Sequence, residues 1–294
     1  MHTIILYYKY VPIAEPQKLV DSQRALCEKL GLKGRILIAK EGINGTLEGE
    51  STAVEEYIKD LVSDERFADM NIKRSEGNGK AFPKLKVKLR NEIVSLNLGD
   101  EDVKPWEMTA KHLPADELNQ WIESGKEFAI VDMRNDYEYK IGRFEGSIDP
   151  GMKNFRDLPK VLPKIAHLKD KPVLAVCTGG VRCEKASGYL LKQGFKDVYQ
   201  LENGIVTYME KYPNKAFKGK LYVFDDRIAM DFDSPDNHTV VGRCDVCEAP
   251  TEHYVNCQNK ECNTHFLVCD SCEEKQGVFC SQACREKVVV AQTA

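Results

Sequence analysis

Several features that would assign a class to this 294-residue sequence are missing from it. No stretch of about 18 apolar residues occurs, so no membrane-spanning helix is expected. Met1 to Tyr10 is apolar, but it carries Lys9 and Pro12 follows it. The basic start and small-residue cleavage site of a secretory signal are absent, so a cytoplasmic protein is expected. There is no G-x-G-x-x-G fingerprint for a flavin. None of the six histidines opens an H-x-D or H-x-E pair, so a two-histidine, one-carboxylate iron site is not signalled. Internal repeats and low-complexity tracts are lacking as well. The net charge of −4 argues against a chain that binds polyanions over its whole surface.

Cysteine is what the sequence has in quantity. Eleven cysteines in a reducing compartment point to metal binding or catalysis rather than to disulfides. An apolar content of 42% suffices for packed cores, and the length corresponds to two or three domains.

Residues 1–98 read as a small α+β domain. Ile4 to Tyr10 is an apolar strand, and Pro16 to Leu30 is an amphipathic helix closed by Gly31. Arg35 to Ala39 is a strand, and Glu41 to Gly45 is a turn into Thr46-Leu47. Ser51 is expected to cap a helix reaching about Val62, and Ile72 to Ser75 starts another strand. The order βαββαβ predicts a ferredoxin-like sandwich. Leu85 to Leu89 and Ile93 to Leu98 are expected to form a hairpin about Asn91-Glu92. Cys27, on the inner face of the first helix, reads as a core residue. An acidic linker covers 99–108, and residues 109–213 alternate strand and helix as a parallel α/β sheet requires. An extended connector, 214–243, precedes a Cys-rich tail, 244–294. Asp225 to Asp236 in the connector is acidic and reads as a solvated loop.

Within the tail lie four cysteine pairs: Cys244/Cys247, Cys257/Cys262, Cys269/Cys272 and Cys280/Cys284. Eight thiolates match two structural zinc ions of four cysteines each, which would supply folding energy that so short a segment cannot draw from an apolar core. Four disulfides are the alternative, disfavoured by the compartment. Val278 to Cys284 resembles the last ligand pair of small cross-braced fingers of the MYND and HIT kind. That resemblance implies that the first and third pairs share one ion and the second and fourth the other. His253 and His265 are read as non-ligands.

Six residues carry most of the functional reading: Cys177-Thr178-Gly179-Gly180-Val181-Arg182. Pro172 to Val176 before them reads as a buried strand, and Cys183 to Lys192 after them as a helix. In such a turn backbone N–H groups converge, the helix dipole adds positive potential, and a thiolate, persulfide or other anion is stabilised. Arg182 adds a fixed charge, and the amide of Cys183 is expected to help line the cradle. The Cys183 thiol either resolves an oxidised Cys177 or simply packs. Lys185 reads as solvated or facing a substrate anion. Asp132 and Arg134 read as strand-end ties, Arg134 pairing with Glu138. The loop resembles the active-site loop of rhodanese-like domains. Val131 to Arg134 resembles that family's D-x-R, Glu138 to Gly146 its E-x-x-I-G-H-I-x-G with Arg143 in place of histidine, and Leu201 to Ile205 its L-x-G-G with Asn203 for one glycine. Phosphatases of this fold place five residues between cysteine and arginine, whereas four lie between Cys177 and Arg182. The smaller ring suits a sulfur-sized group. Sulfur transfer through a Cys177 persulfide stays open, as does a silent module that only binds RNA or protein.

Between Lys73 and Arg90 the sequence is basic. Lys84, Lys86, Lys88 and Arg90 stand out, and the last three alternate with Val87 and Leu89, so they share one face of a strand. Such a row suits a phosphate backbone, or else guards a sheet edge against aggregation. The run Cys177 to Ser187, the segments Ala39 to Thr46 and Val223 to Arg227, and the domain order together resemble the bacterial tRNA uridine(34) hydroxylase family. That resemblance implies oxygen-dependent conversion of the wobble uridine in the tRNA anticodon to 5-hydroxyuridine, with molecular oxygen as co-substrate and Cys177 as the essential cysteine. Uracil C5 is a poor nucleophile until something adds at C6, and a thiolate there makes C5 enolate-like. A wobble base is already unpaired, which lowers the cost of presenting it to a loop.

Overall fold

A computed structural model describes residues 1–232, 238–262 and 264–293, with side chains to Val288. Asp233 and Asp236 of the acidic connector lie outside the described residues.

The first sheet runs β4-β1-β3-β2-β5. It comprises β1 (His2–Tyr10), β2 (Lys33–Ala39), β3 (Gly42–Glu50), β4 (Ile72–Gly77) and β5 (Leu85–Leu89). The helices α1 (Pro16–Lys29) and α2 (Ser51–Ser63) connect them. β1 to β4 form the expected ferredoxin-like sandwich. Period-two alternation divides β1: Ile5 and Tyr7 enter the core with Cys27, Val54, Tyr57 and Leu61 from the helices, while Ile4, Leu6 and Tyr8 face the other side. Cys27 is thus a core residue, and burial pushes its thiol up to about 12.

Two expectations fail here. Ser51 does not cap α2; Glu50 takes that position, and the Ser51 hydroxyl bonds the Met1 carbonyl at 3.0 Å. The hairpin about Asn91-Glu92 does not form. β5 instead pairs parallel with β2, Leu85 opposite Gly34 through Leu89 opposite Ile38. Residues 93–98 stay irregular because carboxylates take their amides. Glu41 accepts from Ile93 N at 2.7 Å, and Glu92 from Leu96 N at 2.8 Å.

The second sheet, β6-β10-β9-β7, is parallel throughout: β6 (Lys111–Leu113), β7 (Ala129–Asp132), β9 (Pro172–Val176) and β10 (Asp197–Leu201). Helices α3 (Ala115–Glu123) and α7 (Gly204–Lys211) cover one face. On the other lie α5 (Leu158–Ile165) and α6 (Val181–Lys192). Coverage on both sides is why the β9 sequence is unbroken apolar. Between β7 and α5 come α4 (Asp136–Ile141) and β8 (Gly142–Phe144). The connector supplies β11 (Phe217–Gly219), paired with β8, and a small hairpin of β12 (Leu221–Tyr222) and β13 (Ala229–Met230). The tail holds an antiparallel pair, β14 (Tyr254–Asn256) and β15 (His265–Leu267), then α8 (Asp270–Gln276) and α9 (Gln282–Thr293).

Lys185 ties the two large units together. It is neither solvated nor turned to a substrate: its side chain has no exposed surface, and Nζ reaches Glu41 at 2.7 Å, Glu92 at 2.7 Å and Asp102 at 2.6 Å. Those carboxylates come from the β2–β3 turn and from the segment joining the domains. Breaking a buried ion cluster by removing one member costs roughly 3–5 kcal/mol, because charges are left desolvated and unpaired.

Candidate active site

β9 delivers Cys177 at the carboxyl end of the parallel sheet, and the chain turns through Thr178–Gly180 into α6. Gly180 has φ +104°, which side-chain-bearing residues rarely adopt. A Cβ there would lie 2.6 Å from the Tyr8 hydroxyl, and one at Gly179 would lie 2.9 Å from a Leu6 methyl. The glycines therefore let the open face of the N-terminal sheet rest directly on the loop. From behind, the start of α7 clamps it: Ile205 N donates to the Cys177 carbonyl at 2.9 Å, and Val206 N to the Thr178 carbonyl at 3.1 Å. Asn203, in the place of a glycine, takes φ +61°, which asparagine tolerates better than most residues.

Sγ of Cys177 accepts the Gly180 amide at 3.3 Å. Burial alone would push the thiol up. The Cys183 thiol, the Arg182 guanidinium and the amides of Cys183 and Gly180 outweigh it and bring Cys177 down to about 6. The price is carried by Cys183, which burial and the neighbouring Cys177 sulfur push up. Cys177 is fully buried: Thr178, Gly179, Val181 and Arg182 line the adjoining cleft, and the sulfur sits one layer beneath them.

Arg182 does not stand free. Nη1 and Nη2 bind the fully buried carboxylate of Glu138 at 2.5 and 2.8 Å, and Nη2 also reaches Thr178 Oγ1 at 3.2 Å. This corrects the expected Arg134–Glu138 pair. Arg134 instead forks onto Asp132, with contacts of 2.7 to 3.1 Å, and donates to the Gly142 carbonyl. Two arginines in one buried pocket each take their own carboxylate. Arg143, at the position of the usual histidine, lies over the Tyr139 ring at 5.1 Å.

Sequence reasoning missed what the N-terminal domain adds. Lys73 of β4 donates to the Gly179 carbonyl at 3.2 Å, and burial brings its ammonium down to about 8. Tyr8 of β1 donates to Glu184 at 3.1 Å, and Tyr10 to the Val181 carbonyl at 3.1 Å. β1 reads as an apolar strand, and nothing in its sequence says what its second face would meet.

Sheet, loop and connector enclose a cleft of about 580 Å³. Arg35, Lys73, Arg90, Arg156 and Arg182 line it, and among the described residues no ion pair holds Arg35, Arg90 or Arg156. Lys86 and Lys88 stand opposite Arg35 and Leu37 across the β2–β5 pairing, so the row Lys86-Lys88-Arg90 lies on the face that overlooks the cleft. Lys84, Lys86, Lys88 and Arg90 are all exposed. Asp225, read as part of a solvated loop, is instead drawn into an ion pair with Arg227 at 2.7 Å on the cleft wall.

In the tail the eight cysteines gather as Cys244, Cys247, Cys269 and Cys272, and as Cys257, Cys262, Cys280 and Cys284, the cross-braced pairing. Sγ–Sγ separations of 3.6 Å (Cys247–Cys269), 3.5 Å (Cys262–Cys280) and 3.7 Å (Cys280–Cys284) are far from a disulfide bond of about 2.05 Å. They are close to the edge of roughly 3.8 Å that a tetrahedron with metal–sulfur bonds near 2.3 Å requires. The donor set thus fits two metal ions with no open position. His253 pairs with Glu273 and His265 packs against Tyr254, both outside the clusters. The tail docks on α4, the helix that presents Glu138: Lys140 pairs with Asp245 at 2.6 Å, and Tyr254 donates to the Tyr137 carbonyl.

Residues 2–93 match the UPF0176 acylphosphatase like domain, 114–211 the Rhodanese-like domain, and 218–285 the Rhodanase C-terminal family. The chain is 43% identical over 287 residues to a tRNA uridine(34) hydroxylase of Bacillus pumilus strain SAFR-032, covering 97% of this chain and 88% of that one. It is 42% identical over 288 residues to the protein of that name in Staphylococcus carnosus strain TM300, covering 97% and 90%. The chain belongs to the tRNA uridine(34) hydroxylase family. The family assignment agrees with the ferredoxin-like and rhodanese-like folds and with the Cys-rich end. No described helix is long and apolar enough to cross a membrane.

Elemental analysis of the native full chain should find two tightly bound metal ions. Cys257→Ser and Cys269→Ser should each remove one, because they belong to different clusters; loss of both ions from either variant would contradict the pairing.

Proposed function

We propose that this protein hydroxylates uridine 34 of tRNA in the cytoplasm, at the anticodon, giving 5-hydroxyuridine, and that Cys177 is its nucleophile. Membership of the family supports the reaction. The observation that carries the residue assignment is a thiol brought down to about 6 beneath a cleft that Arg35, Arg90 and Arg156 help to line.

Cys177 Sγ adds to uracil C6, and the electron pair of the C5–C6 bond moves onto C5. Molecular oxygen supplies the oxygen atom that bonds to C5. Two electrons and two protons from an external reductant take the second oxygen atom to water. Loss of the C5 proton then restores the double bond and expels the Cys177 thiolate. Arg182 and the loop amides favour the thiolate at both ends of this sequence. Because the sulfur has no exposed surface, addition requires Leu6 and Tyr8 to lift from Gly179 and Gly180. The burial also favours a second reading of the chemistry, in which a Cys177 persulfide places a sulfur one bond further out and the protein transfers sulfur instead.

We infer zinc in the two four-cysteine clusters, where it would hold the tail against α4 and leave the reaction to the central domain. We infer, too, that Lys84, Lys86, Lys88 and Arg90 grip the phosphate backbone of the anticodon arm. Their position on the cleft side of the sheet supports this over edge protection alone.

Nucleoside mass spectrometry of tRNA from a deletion strain tests the reaction. Loss of 5-hydroxyuridine derivatives, restored by the native gene and not by Cys177→Ser, is the expected result. Loss of 2-thiouridine instead would establish sulfur transfer, and full rescue by Cys177→Ser would leave only a binding role. Reversal of Lys86, Lys88 and Arg90 to glutamate should weaken tRNA binding at least tenfold near 0.1 M salt and flatten its salt dependence. Unchanged affinity would return the strip to edge protection.

A further inference from the structure

One cleft residue has no part in the chemistry above. Phe224 is 46% exposed, one of the few large apolar side chains left so open, and it lines the cleft beside Thr178 and Arg182. Its ring lies 5.8 Å from the Arg182 guanidinium carbon. Tyr222 packs against it in a T-shaped pair, centroids 5.3 Å apart at 74°, and with Arg182 on one side it fixes the ring's tilt while 46% of the residue stays exposed.

The segment that carries Phe224 is held rigidly for so small a hairpin. Val223 N donates to the Ile228 carbonyl at 2.8 Å, closing the turn, and Ile228 sits at φ +61°. Arg227 forks onto the buried Asp225 and donates to Ser75 of β4 at 3.1 Å, while Asp226 N donates to the Ala81 carbonyl at 3.0 Å. The turn is thus pinned to the N-terminal domain, and the aromatic ring is presented at a fixed place over the loop. Backbone strain and two inter-domain hydrogen bonds are spent on holding a hydrophobic ring in water. Packing does not require that, since the ring is not in any core.

Resting on the hydroxylase reading, we propose that Phe224 is the stacking platform for the target base. Arg35, Arg90 and Arg156 around the same cleft, which hold no ion pair among the described residues, would take the flanking phosphates. The uracil lies on the Phe224 ring with its C5–C6 edge toward the Cys177 loop. An aromatic face accepts any base, so identity is read by the loop chemistry and not by the platform. A single-stranded anticodon base needs no duplex to be opened before it can occupy the ring. A cation on one side of the platform and phosphate-binding arginines around the cleft match the charge of a single nucleotide in its strand.

The test uses the full chain and an anticodon stem-loop RNA with 2-aminopurine at position 34. Stacking on an aromatic ring quenches this base. Wild type and Phe224→Tyr should quench it at saturating protein, and Phe224→Ala and Phe224→Leu should leave it bright. Affinity for the unlabelled uridine stem-loop should fall roughly 5- to 150-fold in Phe224→Ala, the range that loss of one stacked base gives. Thermal unfolding of all four proteins should coincide, because the ring is exposed. Equal quenching by all four proteins, or none by wild type, would overturn the proposal. Hydroxylation of the uridine stem-loop is read separately: its absence with intact quenching would overturn the hydroxylase reading and leave the platform standing.

Discussion

The seat of the N-terminal sheet on the Cys177 loop is the contact on which the site depends. Gly179 and Gly180 have no side chains, so Leu6 and Tyr8 close over them. Lys185, buried among Glu41, Glu92 and Asp102, holds the two units in that position. Without this contact the loop would be a rhodanese-like loop open to solvent. With it, Lys73 touches the loop, the basic face of β2 and β5 overlooks it, and a cleft exists between them. The segment following β5 stays irregular for the same reason: Glu41 and Glu92 bind its amides and Lys185 together, and a hairpin strand would pull those carboxylates away.

Electrostatics inside the loop follow a consistent division. Each buried arginine has one carboxylate, Arg134 with Asp132 and Arg182 with Glu138. With its charge balanced by Glu138, Arg182 orients the loop and lowers the cost of a thiolate without acting as a loose cation. Of the two sulfurs, Cys177 is held down and Cys183 is pushed up, so the sulfur that favours the thiolate and the thiol that donates to it are distinct. The tail reaches this centre through α4 and through Tyr222 of the connector, which packs against Tyr254 and His265. Tyr254 and Lys140 join the cysteine-rich unit to the helix that carries Glu138, a structural role suited to metal sites with no open position.

Much of this was legible in the sequence. The apolar runs of β1 and β9 and the glycine turn after Cys177 locate both sheets and the loop. The cysteine spacings locate the four pairs, and only the resemblance of Val278 to Cys284 to small cross-braced fingers implies how they combine. What was not legible are contacts between domains. Lys185 in a first helical turn looks like any solvated lysine until three carboxylates from distant segments surround it. Glu138 has two arginines in reach, and only the three-dimensional packing decides which takes it. Phe224 ends an apolar run that reads as a strand and Asp225 opens an acidic stretch that reads as a loop, while their placement comes from Arg227 and Asp226, which bond Ser75 and Ala81 of the N-terminal domain.

The most direct measurement is the alkylation of Cys177 by iodoacetamide, read at its own peptide by mass spectrometry as pH is raised, in the wild type and in Lys185→Met. A thiol held down to about 6 beneath the seated sheet predicts a slow rate in wild type that rises with ionisation near that pH. Loosening the Lys185 contact should make it several-fold faster. A rate that climbs only near the ordinary thiol value of about 8.5, or one unchanged by Lys185→Met, would contradict the account.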